Sequence, residues 1–184
     1  MMPKKRAWVF DFDGTLSDLA ENRRSAVLNP RCRSMLRRVA ATDGHIVAII
    51  SSRALDDLIV RVKLPGVVLA GGSGMEFLLP TGERVPPDER TQQRADKSRT
   101  RILPALKSEI GKLAGVEIED KRWSIAIHFR QASASRKRII SRALLLLTQK
   151  HRLNLFRGPE AAEIPFVSGH SKICGLRNLI KLFS

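Results

Sequence analysis

The sequence predicts an α/β protein in which a parallel sheet carries helices on its faces and an α+β unit is inserted into it. Three observations carry this. Apolar runs at 6–12, 45–51 and 66–71 alternate with segments of helical spacing. That β-α-β-α-β order is what a parallel sheet with helical crossovers requires. A change of pattern follows at about residue 80, and the first pattern resumes near residue 158. The expected organisation is a core of 1–79 and 158–184 with a cap of 80–157.

The elements read in order as follows. "RAWVFDF" is apolar and aromatic, the mark of a buried strand. "NPRCRSMLRRVAATDGH" opens on Asn29 as N-cap with Pro30 at the first helical position; Met35, Leu36 and Val39 keep helical spacing and Gly44 ends it. "HIVAIIS" is a second strand, and "ALDDLIVRV" sets Leu55, Leu58, Ile59 and Val62 on one helical face. "GVVLAG" is a third strand. "FLLPTGERV" reads as a hairpin turning at Thr81-Gly82. Ile102, Leu106, Ile110 and Leu113 trace a helical stripe. "GVEIED" and "WSIAIHFR" are strands, the second alternating Ile125, Ile127 and Phe129 against Ala126, His128 and Arg130. One covered face and one accessible face follow from that alternation. A helix capped by Ser133 or Ser135 buries Ile139, Ile140, Ala143, Leu144 and Leu147, and "LNLF" is a strand. "AAEIPF" is expected as a core strand, and "SKICGLRNLIKLF" as a final helix with Ile173, Leu176, Leu179 and Ile180 inward.

Totals bound the function. The chain has 184 residues, and its 43% hydrophobic content is enough for a core. It has no apolar run long enough to span a membrane, and the basic opening lacks the apolar stretch of a signal peptide. Cys32 and Cys174 have no metal-like spacing and read as free thiols of a reducing, cytoplasmic compartment. The formal charge is +15, which suits nucleic acid, an anionic surface or a phosphorylated substrate. The basic residues are dispersed ("RRSAVLNPRCRSMLRR", "ERTQQRADKSRTR", "ASRKRIISR"), which argues for helix surfaces over a nucleic-acid partner.

"FDFDGTL" at 10–16 carries the chemistry. A hydrophobic strand ending in Asp11 and Asp13 places two carboxylates at the carboxyl edge of a parallel sheet, where ligands bind. Burying them bare would be costly. A hard cation such as Mg²⁺, with oxygen ligands, would neutralise them, and one could then attack phosphorus. The competing reading is a polar turn with an Asx cap. Lys172, at the start of the last helix, opposes the helix dipole and suggests an anion nearby.

"FDFDGTL" resembles the first motif of the haloacid dehalogenase-like phosphatases, whose core is Rossmann-like. Ser51, ending "VAIIS", resembles the second motif, and Lys172 the third. The resemblance implies Asp11 as nucleophile, Asp13 as general acid and base, Ser51 and Lys172 as holders of the phosphoryl oxygens, and Mg²⁺ on Asp11 and the Asp13 carbonyl. "IISSR", "LAGGSGMEF", "VEIEDKRWSIAIHFR" and "GPEAAEIPFVSGHSK" are similar to motifs of the trehalose-6-phosphate phosphatases within that superfamily. That implies hydrolysis of trehalose 6-phosphate through an aspartyl phosphate, in trehalose biosynthesis, with Glu119, Lys121, Arg130 and Glu163 binding the sugar. His128 and Glu76 match family positions too, and Arg53 is expected to pair with a core carboxylate. Ser73, Pro159, Ser52 and Cys174 depart from the pattern. The fourth motif, an acidic pair after a further strand, has no counterpart after Lys172. A chain short at its C-terminus, an open sheet edge and lowered activity are the expected consequences. The alternatives are a phosphatase of another sugar phosphate, such as sucrose or mannosylglycerate phosphate, a silent phosphosugar binder, and a nucleic-acid-binding protein reusing the fold.

Overall fold

A computed structural model describes residues 6–18 and 23–183. The basic opening residues 1–5, read above for a signal peptide, lie outside them. The described residues form two compact units, one of residues up to Pro87 together with His170 onward, the other Asp88–Gly169.

The first unit is built on a five-stranded sheet in the order β1-β2-β3-β4-β5. β1 (Arg6–Phe10), β2 (His45–Ile50) and β3 (Val68–Gly71) are parallel. β4 (Glu76–Leu78) and β5 (Arg84–Val85) follow as an antiparallel hairpin. β2 lies between β1 and β3 and is apolar on both faces, as a covered parallel strand must be. Val47 and Ile49 pack with Leu36 of α1 (Pro30–Ala40) and Leu58 and Val62 of α2 (Leu55–Val62). Ala48 and Ile50 pack with Phe77 and with Leu179 of the last helix, α5 (Lys172–Phe183). Asn29 caps α1, its side chain accepting from the Arg31 N–H at 2.9 Å with Pro30 behind it, as the sequence predicts.

β1 lies at the edge of this sheet, and Trp8 and Val9 are 44% and 37% exposed. The open edge expected from the sequence is therefore present among the described residues. α5 is only partly covered: Leu179 is buried, while Ile173, Leu176 and Ile180, expected to face inward, are exposed. The difference is physical. A helix over a sheet needs neighbours on both flanks to bury a wide apolar stripe, and α5 packs on β2 near the sheet's open side.

The second unit is an antiparallel sheet, in the order β6-β7-β9-β8, with two helices. Its strands are β6 (Glu117–Asp120), β7 (Ser124–His128), β8 (Phe156–Arg157) and β9 (Ala161–Pro165). Ile125, Ile127 and Ile164 are fully buried on one face, along with Ala95, Ile102 and Leu106 of α3 (Glu89–Glu109) and Ile140 and Leu144 of α4 (Ala134–His151). Ile139, predicted inside, is half exposed. Asp88 caps α3, accepting from the Thr91 N–H at 2.9 Å, and Ser133 caps α4.

The units divide at different points from those expected. The hairpin 76–85 extends the first sheet, because β4 pairs with β3. "AAEIPF" is not a core strand: β9 pairs antiparallel with β7 and β8. A half-apolar strand of five residues has no local feature that names its sheet, and here Ile164 opposite Ile125 settles the pairing.

Candidate functional site

The chain leaves β1 at Phe10 and turns at once. Gly14 has φ 73°, a value costly for a residue with a Cβ, and the N–H groups of Leu16 and Ser17 return to the Phe12 carbonyl at 2.9 and 3.0 Å. The turn buries Phe12 and Leu16 and leaves the side chains of Asp11 and Asp13 at the carboxyl edge, 36% and 40% exposed.

Each carboxylate has a cation. Lys172 Nζ stands 2.5 Å from Asp11 Oδ2, and Asp11 Oδ1 accepts from the Phe12 N–H at 2.7 Å. The lysine that the dipole disfavours at the start of α5 thus finds its anion on β1. Ser171 stands before it, its hydroxyl accepting from the Cys174 N–H at 3.3 Å.

Asp13 is held in a fork. Arg53 donates from Nε to Asp13 Oδ2 at 2.9 Å and from Nη2 to Oδ1 at 2.7 Å, and from Nη1 to Asp57 Oδ2 at 2.7 Å. Asp57 in turn takes both ends of the Arg61 guanidinium at 2.8 Å. The Arg53 side chain is 8% exposed and lies over the Phe12 ring. Burial opposes its charge, but hydrogen bonds to Asp13 and then Asp57 outweigh burial and hold the guanidinium above the ordinary arginine value. Asp57 shows the converse. Burial would raise it, yet hydrogen bonds from Arg61 and Arg53 hold it below the usual carboxylate range.

Ser51 is fully buried at the end of β2. Its hydroxyl accepts from the Arg53 N–H at 3.2 Å, so it shapes the loop that carries Arg53. From the sequence Arg53 is expected to pair with a core carboxylate, and the structure shows two, Asp13 and Asp57. The only local signal was an arginine two residues after Ser51. Gly74 and Gly175 were missed. They set α5 against the 72–75 loop at backbone contact, as a Cβ on Gly175 would stand 2.8 Å from the Gly74 Cα.

The second unit gathers three of its four expected site residues. Glu119, Ala126 and Glu163 are register partners across β6, β7 and β9, which puts both carboxylates on the face opposite Ile125, Ile127 and Ile164. Lys121, nearly buried, reaches Glu163 Oε1 at 3.4 Å. Ser124 donates to the same oxygen at 2.6 Å, and His128 Nε2 lies 3.1 Å from Glu119 Oε2. Arg130 is placed apart from these pairs, exposed beyond the end of β7 and 2.5 Å from Glu160. Ser124, within the motif-like stretch "VEIEDKRWSIAIHFR", was not singled out from the sequence, and the structure places it on Glu163.

The Asp11–Asp13 pair supplies oxygen donors only and is open to water. That suits a hard cation which keeps part of its hydration and takes one or two carboxylates. Among the described residues no cluster of three or more His, Cys, Asp or Glu groups forms a fuller cage.

The Trehalose-phosphatase family model matches residues 9–164. Trehalose-phosphate phosphatase of Mycobacterium tuberculosis is 33% identical over 164 residues, 89% of this chain and 41% of the relative. That of Mycobacterium leprae is 32% identical, over 88% of this chain and 37% of the relative. The chain therefore spans about two-fifths of the length of these curated relatives. In fold it is similar to the C-terminal domain of the Candida albicans trehalose-6-phosphate phosphatase, with TM-score 0.71 and 19% identity over 97% of this chain and 61% of that one. A trehalose-6-phosphate phosphatase related protein has TM-score 0.75 and 16% identity, over 95% of this chain and 73% of that one. The α/β core at the end of β1 and the match over residues 9–164 lead to one assignment: this chain belongs to the trehalose-phosphatase family.

Proposed function

We propose that the chain hydrolyses a sugar phosphate monoester, trehalose 6-phosphate, to trehalose and phosphate. The observation that carries this reading is the Asp11–Lys172 pair beside the Asp13–Arg53 fork at the end of β1.

Asp11 attacks phosphorus, its oxygen forming a bond while the bond to the sugar oxygen breaks. Asp13 gives that leaving oxygen a proton. Water then attacks the aspartyl phosphate, Asp13 takes its proton, and phosphate leaves Asp11 free. To exchange a proton Asp13 must leave the Arg53 fork, so Arg53 acts as the clamp that returns it to place. Lys172 meets the negative charge on the transferring group, and Ser51 supports from the β2 end. The Asp11 carboxylate and the Asp13 backbone carbonyl would hold magnesium with water, and the ion would supply neutralisation of phosphate charge.

Glu119, Lys121 and Glu163, with His128 and Ser124, offer acceptors and donors suited to sugar hydroxyls, and Arg130 adds an exposed cation paired with Glu160. The substrate assignment is supported by the names of the relatives and by this polar face. A cytoplasmic setting fits the two free thiols.

The test is phosphate release from trehalose 6-phosphate with Mg²⁺, alongside Asp11→Asn and a chelator control. Release that both controls abolish supports the reading. No release from folded protein, or release that persists in Asp11→Asn, refutes it.

A further inference from the structure

The segment "ERTQQRADKSRTR" is strongly basic, and the phosphatase reading leaves it without a role. In the structure it is the first half of α3. Arg94, Lys97 and Arg101 fall within one third of the helix circumference. Together with His151 and Arg152 at the end of α4 they line a groove of about 360 Å³ whose floor includes Phe166. Ser98 and Ser168 add hydroxyls, the Thr91 hydroxyl donates to Asp88 Oδ2 at 2.7 Å, and no carboxylate lines the groove itself. Among the described residues, none of Arg94, Lys97, Arg101 and Arg152 forms an ion pair with an acid. This groove belongs to the helical side of the second unit. Glu119 and Glu163 lie on the opposite face of its sheet.

Like charges gathered from two helices repel one another, and nothing in the protein's own packing demands that they converge. Partial burial first, and then the charges of Arg101 and Lys150, hold the His151 imidazolium below the usual histidine value. We propose that the groove binds a compact polyphosphate, either inorganic tripolyphosphate or the phosphate tail of a nucleoside triphosphate.

Three features favour a compact anion over a nucleic-acid strand. The cations surround a hollow of small-ligand size, not a stripe across the surface. Arg94 to Arg101 spans about 10 Å of helix, the reach of a short row of phosphates. Phe166 is 5% exposed, so no aromatic face is offered for base stacking, the usual device of single-strand binders.

The experiment is calorimetric titration of the full chain with inorganic tripolyphosphate at low ionic strength, with ATP, AMP and a single-stranded oligonucleotide as competitors. Lys172→Gln removes the phosphate-facing cation of the phosphatase site, so it separates this groove from that site and is expected to bind tripolyphosphate as wild type does. The combined variant Arg94→Gln/Arg101→Gln/Arg152→Gln is expected to weaken binding by at least about tenfold. Lys97→Gln, a single exposed change, is expected to weaken it about threefold and serves if the combined variant fails to fold. Displacement by ATP but not AMP supports the phosphate-tail chemistry, and the tighter of ATP and tripolyphosphate names the source. The proposal is overturned by no binding, by binding that the groove variants leave unchanged, by loss of binding in Lys172→Gln, or by an oligonucleotide that outcompetes tripolyphosphate.

Discussion

Gly74 and Gly175 meet backbone to backbone, the loop after β3 against the first turns of α5. A Cβ on Gly74 would overlap the Gly175 Cα, and a Cβ on Gly175 would overlap the Ser73 carbonyl. Three residues before Gly175, Lys172 reaches Asp11. The contact therefore fixes how far the lysine stands from the carboxylate. Gly175→Ala is expected to push α5 outward, costing about 2 kcal/mol by overpacking despite the better helix propensity of alanine. Phosphate release should fall with it. Urea unfolding and the phosphatase assay check both; unchanged stability and turnover would show that the helix yields without moving Lys172.

Arg53 holds two carboxylates at once, and the test of that role is a change that keeps charge but removes shape. Arg53→Lys loses the fork to Asp13 and cannot also reach Asp57 with matched geometry. If Asp13 transfers the proton as proposed, the expected effect is a kcat lowered about tenfold or more with KM little changed, because Asp13 is misplaced while the polar face of the second unit is untouched. Stability should fall by about 1–2 kcal/mol, since a nearly buried hydrogen-bonding group loses partners. Steady-state kinetics separates the two quantities. A KM effect with full kcat would remove Arg53 from the chemistry.

Much of this was legible in the sequence because parallel strands are apolar on both faces and leave short uninterrupted runs, as "HIVAIIS" does. Asp11 and Asp13 were legible for the same reason, as charges stand out at the end of such a run. For Arg53 a carboxylate partner was expected but not which one, because Asp13 lies 40 residues away and no local pattern names it. The membership of β9 was hidden too. Alternation says that Ile164 faces a core but not which one, and only the pairing with Ile125 decides. Gly175 looked like an ordinary helix glycine; its meaning lies in the approach of a second backbone.

Acid should weaken the first unit through Asp57. Its folded value is lowered, burial being outweighed by Arg61 and Arg53. A depressed carboxylate contributes stability that is full above its ordinary value of about 3.9 and is lost as pH falls through the folded value. Denaturant midpoints should therefore drop for wild type between neutral pH and about pH 3, and drop less for Asp57→Asn, which starts lower. Parallel losses in both proteins would show that other groups govern the acid limb.

Glu163 is the junction of the second unit's polar face, receiving Ser124 at 2.6 Å and Lys121 at 3.4 Å. Glu163→Gln keeps the size and one acceptor but removes the charge that anchors a nearly buried lysine. If this face binds the sugar, the change acts on substrate affinity and leaves the Asp11 chemistry alone. KM for trehalose 6-phosphate should then rise about tenfold with kcat within about twofold, and a minimal phosphate ester lacking the sugar should be turned over as by wild type. Arg130→Ala, at an exposed pair with Glu160, should cost less, about threefold in KM. Equal losses on the sugar phosphate and the minimal ester would mean that Glu163 supports the fold and not the sugar.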